Sequence, residues 1–320
     1  MALTLRQLRY FVAIADAGAV ARAAQKLNVA QSALSLHVLE AEAELGVKLL
    51  ERRPRGVALT AAGQRLYEHA SSILSALGKA EHDVKTFMEV ASGPVSVGLS
   101  HTAAAAASLT IMQTIRESCP KVHLIIVEGL SPSLTERVLS STLDFALVFN
   151  PSLDRRLRRE SLLEEELYLV GHRDIIGRTS EPIAFADIPQ DSVLGLDAFP
   201  ASRSIIEAQI LRNQIAPNPR LEIDSLNAMR KALEGRLGCA ILARSTVGDE
   251  LAAKKVHARR IIEPTLNRTL SLISLTDHPQ TRAFIEIREL LIRVILDAVQ
   301  NRTWPAKGVL GKRGRLESAP

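Results

Sequence analysis

The side chains with the clearest chemical potential lie near the N-terminus, and they suit nucleic-acid binding better than catalysis. A mostly polar cluster lies at Gln31, Ser32, Ser35, Leu36 and His37. An arginine cluster follows it at Arg52, Arg53 and Arg55. Gln, Ser and His side chains can hydrogen-bond to bases or phosphates, and arginines neutralise phosphates. We therefore predict that these residues contact double-stranded DNA.

No catalytic motif competes with this interpretation. The sequence has no Gly-x-Ser-x-Gly elbow, phosphate-binding Gly-Lys-Ser/Thr loop, His-Glu-x-x-His pair or Gly-x-Gly-x-x-Gly run, and its histidines are scattered. Its two cysteines, Cys119 and Cys239, lack the spacing of a zinc site and indicate a reduced chain. We expect no enzyme activity, no metal and no cofactor.

Three helices must position the polar cluster. Thr4 can cap a helix over residues 5–17, Gly18 can end it, a short helix follows over 20–27, and a third covers 31–45. Two short helices joined by a tight turn, behind a leading helix, indicate a helix-turn-helix. In that motif the third helix enters the major groove.

A wing is predicted over residues 47–60, as two short strands with the arginine cluster at their tip. Arginines in that place meet phosphates or a minor groove. The alternative is a small helical domain with a solvated basic loop.

A longer string of residues carries a resemblance to a known family. It consists of Leu8-Arg9-Tyr10-Phe11, Ala23-Ala24, Leu27, Gln31, Ala33-Leu34-Ser35, Leu45-Gly46, Leu49-Leu50-Glu51-Arg52, Arg55-Gly56-Val57, Leu59-Thr60 and Ala62-Gly63. In this string the chain resembles the LysR family of bacterial transcriptional regulators, nearest its nitrogen-assimilation-control branch. The resemblance implies a winged helix-turn-helix at residues 1–60 that binds DNA.

The chain departs from the family pattern in its recognition helix. Ala30 and Ser32 stand where the family usually has Ser and Pro. Because alanine is a poor helix cap, this helix should start less firmly. Leu36, Leu39 and Glu40 stand at positions that are often basic or polar, so phosphate contacts there should be weaker. We expect an unusual operator or a modest affinity.

A long linker helix is predicted over residues 61–91, between a Thr60 cap and Gly93-Pro94. Its apolar residues repeat at alternating spacings of four and three, at Leu66, Ala70, Ile73, Leu77, Ala80, Val84 and Phe87. This heptad seam predicts a homodimer, which would pair two recognition helices. The alternative is a helix that packs on its own domain.

From residue 92 to residue 300, short apolar runs alternate with helical segments, which predicts an α/β domain with a mainly parallel sheet. The resemblance implies an effector-binding domain of two Rossmann-like lobes, similar to type 2 periplasmic solute-binding proteins. Lobe 1 would comprise residues 92–162 and 267–300, and lobe 2 residues 163–266. The effector cleft would lie between them.

Polar residues at strand ends mark a candidate effector site. Ligands of open α/β sheets bind at the carboxyl ends of strands and at helix N-termini. This rule selects Ser100, Thr102, Ser131, Ser133, Ser202 and Arg203, and a loop near the expected hinge adds Gly235 and Arg236. Hydroxyl groups and backbone amides suit a carboxylate or another small anion. A serine or threonine alone is more often a helix cap, so the argument depends on their joint placement.

The remaining features predict structure and location. The chain has a net charge of +5, and residues 301–320 carry five cations against one anion, which predicts a basic disordered tail. Residues 164–166 are predicted to be a solvated strand entry, and Cys239 a core residue. No apolar run approaches the ~18–20 residues of a membrane span, and the N-terminus does not resemble a signal peptide. We expect a cytoplasmic protein with no membrane partner.

Three other functions remain open from the sequence alone: an enzyme on an α/β scaffold, a solute-binding module, or a DNA-binding regulator without a small-molecule effector. The family resemblance favours a homodimer or homotetramer that bends DNA. Effector binding would change lobe closure and shift the balance between two assemblies. RNA polymerase at target promoters is the further partner that the resemblance implies.

Overall fold

The computed structural model describes residues 3–53, 56–86, 91–189, 192–194, 200–212, 221–223 and 225–309. The chain divides into two compact units, one of residues 1–87 together with 140–142, and the other of residues 88–139 and 143–320. Within the described residues, no helix has the length and apolar character needed to cross a bilayer.

The N-terminal unit is a winged helix-turn-helix followed by a long helix, as predicted. Its elements are α1 (Leu5–Ala17), α2 (Val20–Leu27), α3 (Gln31–Leu45), β1 (Leu50–Arg53), β2 (Gly56–Leu59) and α4 (Ala61–Thr86). Strands β1 and β2 form an antiparallel pair. Residues 87–90, where the sequence predicted that the last helix continues, lie outside the described part.

The helix ends follow from their capping residues. The Thr4 hydroxyl accepts a hydrogen bond from the Gln7 backbone N–H at 3.2 Å, and the Gln7 side chain accepts one from the Thr4 backbone. Gly18 and Gly46 end α1 and α3 in the left-handed region, at φ 63° and 68°. Thr60 begins α4, because its hydroxyl accepts a hydrogen bond from Gly63 N at 2.9 Å.

The wing is held against the helices by close backbone approaches. Val57 N donates to the Gly18 carbonyl at 3.0 Å. A Cβ on Gly56 would lie 2.2 Å from that same carbonyl oxygen, and a Cβ on Gly63 would lie 2.0 Å from the carbonyl oxygen of Leu49. Only glycine fits at these two positions, so two glycines of the family-like string place the wing beside the core.

The C-terminal unit alternates strands and helices. Its strands are β3 (Ser92–Ser100), β4 (Lys121–Gly129), β5 (Phe145–Phe149), β6 (Leu157–Gly171), β7 (Ile183–Ala184), β8 (Cys239–Ala243), β9 (His257–Ile262), β10 (Asn267–Leu275) and β11 (Lys307–Gly308). Its helices are α5 (His101–Ser118), α6 (Ser131–Leu139), α7 (Arg173–Ile176), α8 (Pro200–Arg212), α9 (Leu226–Glu234), α10 (Gly248–Ala252) and α11 (Arg282–Gln300).

The strands form a curled, mixed sheet in the order β4-β3-β5-β10-β6-β9-β7, with β8 and β11 also paired to β6. Strand β3 is parallel to β4 and β5, and β10 is antiparallel to β5 and β6. The first part of β6 pairs with β10, and its last five residues pair with β8. Strand β6 therefore passes from one lobe to the other.

Each lobe has its own aliphatic core. Val97, Leu99 and Ile111 belong to the first, and Leu169 and Ile241 to the second. The sequence pattern does not predict the long β6 or the strand β9. Residues 221–223, whose apolar ends suggest a short strand, have no regular structure. The predicted lobe boundary at residues 162 and 163 falls inside β6.

The prediction of a disordered tail from residue 301 is wrong for residues 301–309. Trp304 is fully buried, and β11 pairs with β6 through Lys307 and Glu164. Burying the indole ring favours order in a segment whose glycine, proline and lysine content had suggested none. Residues 310–320 lie outside the described part.

Candidate nucleic-acid and effector sites

Of the five predicted DNA contacts on α3, four share its solvent-exposed face. Four of them are exposed, namely Gln31, Ser32, Ser35 and Leu36. The opposite face packs Leu34 and Val38 into the core. Ala30, the cap residue of α3, makes no side-chain hydrogen bond to the first turn in the described part of the chain. The helix therefore begins without the side-chain acceptor that Ser would supply.

His37 belongs to the scaffold as much as to this face. Its Nδ1 lies 3.1 Å from a carboxylate oxygen of Glu40, and its ring centroid lies 5.2 Å from that of Tyr10 on α1. A histidine held by two neighbours has fewer free orientations toward DNA than Ser32 or Ser35 has.

Two arginines of the cluster, Arg52 and Arg53, lie on strand β1 of the wing. In the ladder, Arg52 stands opposite Val57 and Arg53 opposite Gly56. The Arg53 side chain is 65% exposed, and its guanidinium lies 3.9 Å from Glu51, which leaves it available to a phosphate. Arg55 and the side chain of Arg52 lie outside the described residues.

A buried carboxylate that the sequence did not reveal joins α3 to the wing. Glu42 accepts hydrogen bonds from the backbone of Leu49 at 2.8 Å and Leu50 at 3.2 Å, and from Lys48 Nζ at 2.6 Å. Burial alone would raise the pKa of Glu42, but the hydrogen bonds from Lys48 and the two backbone groups outweigh it and lower the pKa. The sequence around Glu42 does not indicate that this side chain joins α3 to the wing.

The predicted dimer seam on α4 divides into two parts. Leu66 and Ala70 pack within the N-terminal unit, and Ala70 is fully buried there, so the alternative of a helix packed on its own domain holds for this end. Ile73 is 46% exposed, Leu77 is half-buried and Ala80 is exposed. The side chain of Val84 and all of Phe87 lie outside the described part.

Three strand ends bring candidate effector residues together in the C-terminal unit. Ser100 at the end of β3 stands opposite Gly129 at the end of β4, and Ser131 follows two residues later. The Ser131 hydroxyl accepts a hydrogen bond from the backbone of Phe149, at the end of β5, at 3.1 Å. The rule about strand ends therefore places Ser100, Thr102 and Ser131 at one edge of the sheet.

Ser100 is the unusual member of this group. It is only 5% exposed, and its hydroxyl has no hydrogen-bond partner in the described part of the chain. It stands at the cap position of the 18-residue helix α5, yet its side chain does not cap that helix. A buried hydroxyl without a partner costs free energy, and a helix N-terminus favours an anion.

A buried ion pair lies beside this edge, where β6, paired there with β10, passes from one lobe to the other. Arg268 Nε donates to Glu165 at 2.8 Å, and the two side chains are 6% and 1% exposed. Arg268 also donates to the Thr102 hydroxyl at 3.0 Å and lies 3.8 Å from the Phe149 ring centroid. Glu165, predicted to lie in a solvated strand entry, is instead at the centre of a polar network.

The network reaches both lobes and the C-terminal segment. Ser245 Oγ and Trp304 Nε1 each donate to the second oxygen of Glu165 at 2.8 Å. The Thr102 hydroxyl lies 3.3 Å from that of Thr246, in the 3₁₀ turn Arg244–Val247. The start of α5 is thus connected through Thr102 to Arg268 of β10, and through Arg268 to Glu165 of β6.

Four of the other predicted effector residues do not join this edge, or their side chains cannot be placed there. Ser133 is exposed on α6. Ser202 and Arg203 lie in the first turn of α8, but their side chains are outside the described part. Arg236 forms an ion pair with Asp174 at 3.1 Å. It precedes β8, whereas Ser245 and Thr246 of the polar network follow the other end of that strand.

Gly235 precedes Arg236 and also lies at the remote end of β8. The prediction that this loop lies near the hinge is wrong. Strand β8 begins opposite Gly171, the last residue of β6, and only its other end, before Ser245, lies near the point where β6 passes between the lobes.

The cysteines are poor nucleophiles in this fold. Burial, with a contribution from Glu286, raises the pKa of Cys119 to about 11, and burial raises that of Cys239 to about 12. Thiols held protonated react slowly, which supports the interpretation of Cys239 as a core residue. Among the described residues, no group of His, Cys, Asp and Glu side chains could hold a metal ion.

Known proteins resemble the chain over nearly its whole length. A model of the bacterial regulatory helix-turn-helix protein, lysR family, matches residues 5–64, and one of the LysR substrate binding domain matches residues 89–295. The nitrogen assimilation regulatory protein nac of Klebsiella aerogenes is 34% identical over 306 residues, which are 94% of this chain and 98% of that protein.

Two solved structures share the fold. Full-length OxyR from Pseudomonas aeruginosa has a TM-score of 0.68 at 22% identity, with 92% of this chain and 98% of OxyR covered. Full-length CbnR complexed with its target DNA has a TM-score of 0.66 at 23% identity, with 91% of this chain and 99% of CbnR covered.

Proposed function

Because this chain belongs to the LysR family of transcriptional regulators, with both the DNA-binding and the effector-binding domain, we propose three finer features of its regulation. The exposed face of α3 and the arginines of the wing bind a DNA half-site. Helix α4 pairs two chains into a homodimer or a larger assembly. A small anion, such as a carboxylate, binds at Ser100 and Thr102 and controls the assembly.

The observation that carries the anion proposal is the buried Ser100 hydroxyl without a partner, at the N-terminus of α5. An anion at this point would accept its hydrogen bond and interact favourably with the helix dipole. Thr102 already accepts from Arg268, so an anion that engages Thr102 would alter the polar network between the lobes. An anion that contacts one arrangement of the lobes better than another would shift the balance between the two conformations.

The proposal for DNA rests on the shared exposed face of Gln31, Ser32 and Ser35, and on the exposed Arg53 of the wing. For the dimer, the unused part of the seam, Ile73 and Leu77, is the support. Paired half-sites then follow from the symmetry of a dimer. Contact with RNA polymerase at target promoters and a cytoplasmic location complete the proposed role, which needs no catalytic chemistry.

A ligand-induced shift of the melting temperature tests the anion proposal. We would screen the full chain against a panel of mono- and dicarboxylates, with Ser100→Ala as the variant and Ser133→Ala as the exposed control. A carboxylate at 100 times its Kd should stabilise the wild type by about 2.7 kcal/mol. Ser100→Ala should abolish the shift and Ser133→Ala should keep it.

A panel without any shift, or an equal shift in both variants, would contradict the anion proposal. In the first case, a regulator that works without a small-molecule effector becomes the better description of the protein.

A further inference from the structure

The recognition helix carries two leucines where a solvent-exposed or phosphate-facing helix would carry polar residues. Leu36 and Leu39 are 54% and 55% exposed, although the helix buries a separate apolar face into its own core. Both lie on the side of α3 that also presents Gln31, Ser32 and Ser35. Large apolar side chains on the ligand-facing side of a helix indicate an apolar ligand group.

The charges of α3 argue that these leucines face bases and not phosphates. The helix contains no lysine or arginine, and its charged residues are the glutamates Glu40, Glu42 and Glu44. Glu40 follows Leu39 directly, so a phosphate near the leucines would be repelled. Cations that can attract the phosphate backbone lie elsewhere, among them Arg53 on the wing and Arg22 and Lys26 on α2. The helix must therefore gain its own contacts from neutral groups.

In the major groove, the one apolar group that a base edge presents is the 5-methyl group of thymine. We infer that Leu36 and Leu39 read thymine methyl groups in the operator half-site, an inference that rests on the proposed DNA binding by α3. Residues three apart on a helix rise about 4.5 Å along its axis. This is close to the rise of about 3.4 Å per base pair, so the two leucines reach thymines at adjacent or next-adjacent positions.

Replacement of thymine by deoxyuridine tests this directly, because deoxyuridine keeps the pairing edge and lacks only the methyl group. The probe is a duplex of the footprinted promoter segment upstream of the gene encoding this protein, with each half-site thymine replaced in turn. Affinity is measured by fluorescence anisotropy for the wild type, Leu36→Ala and Leu39→Ala. Leu45→Ala, also exposed (42%), removes a leucine from the far end of the same helix as a control.

The wild type and the Leu45→Ala control should lose about fourfold in affinity for each contacted methyl group that is removed. Leu36→Ala should bind the thymine duplex about as weakly as the wild type binds one deoxyuridine duplex, and that same replacement should then cost it nothing further. Leu39→Ala should behave in the same way at a second thymine. Circular dichroism confirms that the variants are folded.

Two results would overturn the inference: normal promoter binding that no deoxyuridine replacement weakens, or a deoxyuridine effect that persists in both leucine variants. In either case the leucines contact something else, such as another protein. Absence of binding to any promoter duplex would instead overturn the proposed DNA binding, and this inference with it.

Discussion

Each unit of the molecule holds a buried carboxylate, and the two carboxylates find their partners over very different sequence distances. In the N-terminal unit, Glu42 binds partners six to eight residues away, and Thr60 binds Gly63. In the C-terminal unit, Glu165 binds Arg268 and Trp304, which are 103 and 139 residues away. The partners of Glu42 are thus local, although Val57 N and the Gly18 carbonyl also join the wing to the end of α1. In the C-terminal unit, the buried network of Glu165 depends on long-range contacts that join the lobes.

This difference predicts where a single substitution does most damage. Loss of a local contact should loosen one element of the N-terminal unit. Loss of a long-range contact in the C-terminal unit should weaken both lobes, because β6, which carries Glu165, pairs with strands of both lobes.

The largest effect is expected for Arg268→Met. The substitution leaves the carboxylate of Glu165 buried without its cation, which should cost about 3 to 5 kcal/mol. The control is Arg260→Met, whose partner Glu166 follows Glu165 directly but forms an exposed pair, worth at most about 1 kcal/mol. Urea unfolding followed by the fluorescence of Trp304, the only tryptophan, measures the C-terminal unit alone. Equal losses in the two variants would show that the buried pair contributes no more to stability than the exposed pair does.

A smaller loss is expected for Trp304→Phe. Phenylalanine keeps most of the buried ring but removes the N–H group that donates to Glu165 at 2.8 Å. A hydrogen bond to a charged group contributes about 1.5 to 3 kcal/mol. Thermal unfolding followed by circular dichroism should show this loss, and it should be much reduced when Glu165→Gln is already present. Independent, additive losses would show that the ring contributes only by packing.

In the N-terminal unit, Glu42→Gln should cost about 1 to 2 kcal/mol at neutral pH. The pKa of Glu42 is lowered in the folded state, so its carboxylate stabilises the fold fully above the unfolded pKa of about 4.3. That contribution disappears as the pH falls through the lower folded pKa. Unfolding curves at successive pH values should therefore converge for wild type and variant in acid, while exposed Glu40→Gln changes little. A pH-independent difference would contradict this account of Glu42.

The smallest predicted effect is a gain. Ala30→Ser supplies the missing acceptor at the start of α3, which should stabilise the N-terminal unit by about 1 kcal/mol. Ala21→Ser, an exposed position within α2, serves as the control and should give no gain. The melting temperature of the N-terminal unit is the readout, and an unchanged value for Ala30→Ser would show that another group already satisfies the first turn.

The distance along the sequence between a residue and its partners explains what could be predicted from the sequence. The ends of α1 and α3 were predicted because Thr4, Gly18 and Gly46 act on their own helices. Ser100 and Ser131 were predicted to lie together because parallel strands end at one edge. The buried position of Glu165 could not be predicted, because the residues near it in the sequence do not indicate that Arg268, 103 residues away, is its partner. The prediction that Trp304 is disordered failed for the same reason. Its sequence neighbours indicate disorder, whereas its hydrogen-bond partner Glu165 lies on β6.

The seam of α4 shows a second limit. Its heptad spacing does not distinguish a partner chain from the helix's own domain, and Ala70 turned out to be buried in that domain. Periodicity identifies an apolar face but does not identify what covers it.

The proposal that α3 and the wing bind operator DNA is tested most directly by footprinting of the promoter upstream of the gene encoding this protein. The wild type is compared with a Ser35→Ala, Arg55→Ala double variant. We predict a protected, roughly palindromic segment that the double variant does not protect, because in the proposed interface one substitution removes a hydroxyl that faces the bases and the other a cation that binds phosphate. Absence of protection by the wild type even at low salt, where phosphate contacts are strongest, would contradict the account.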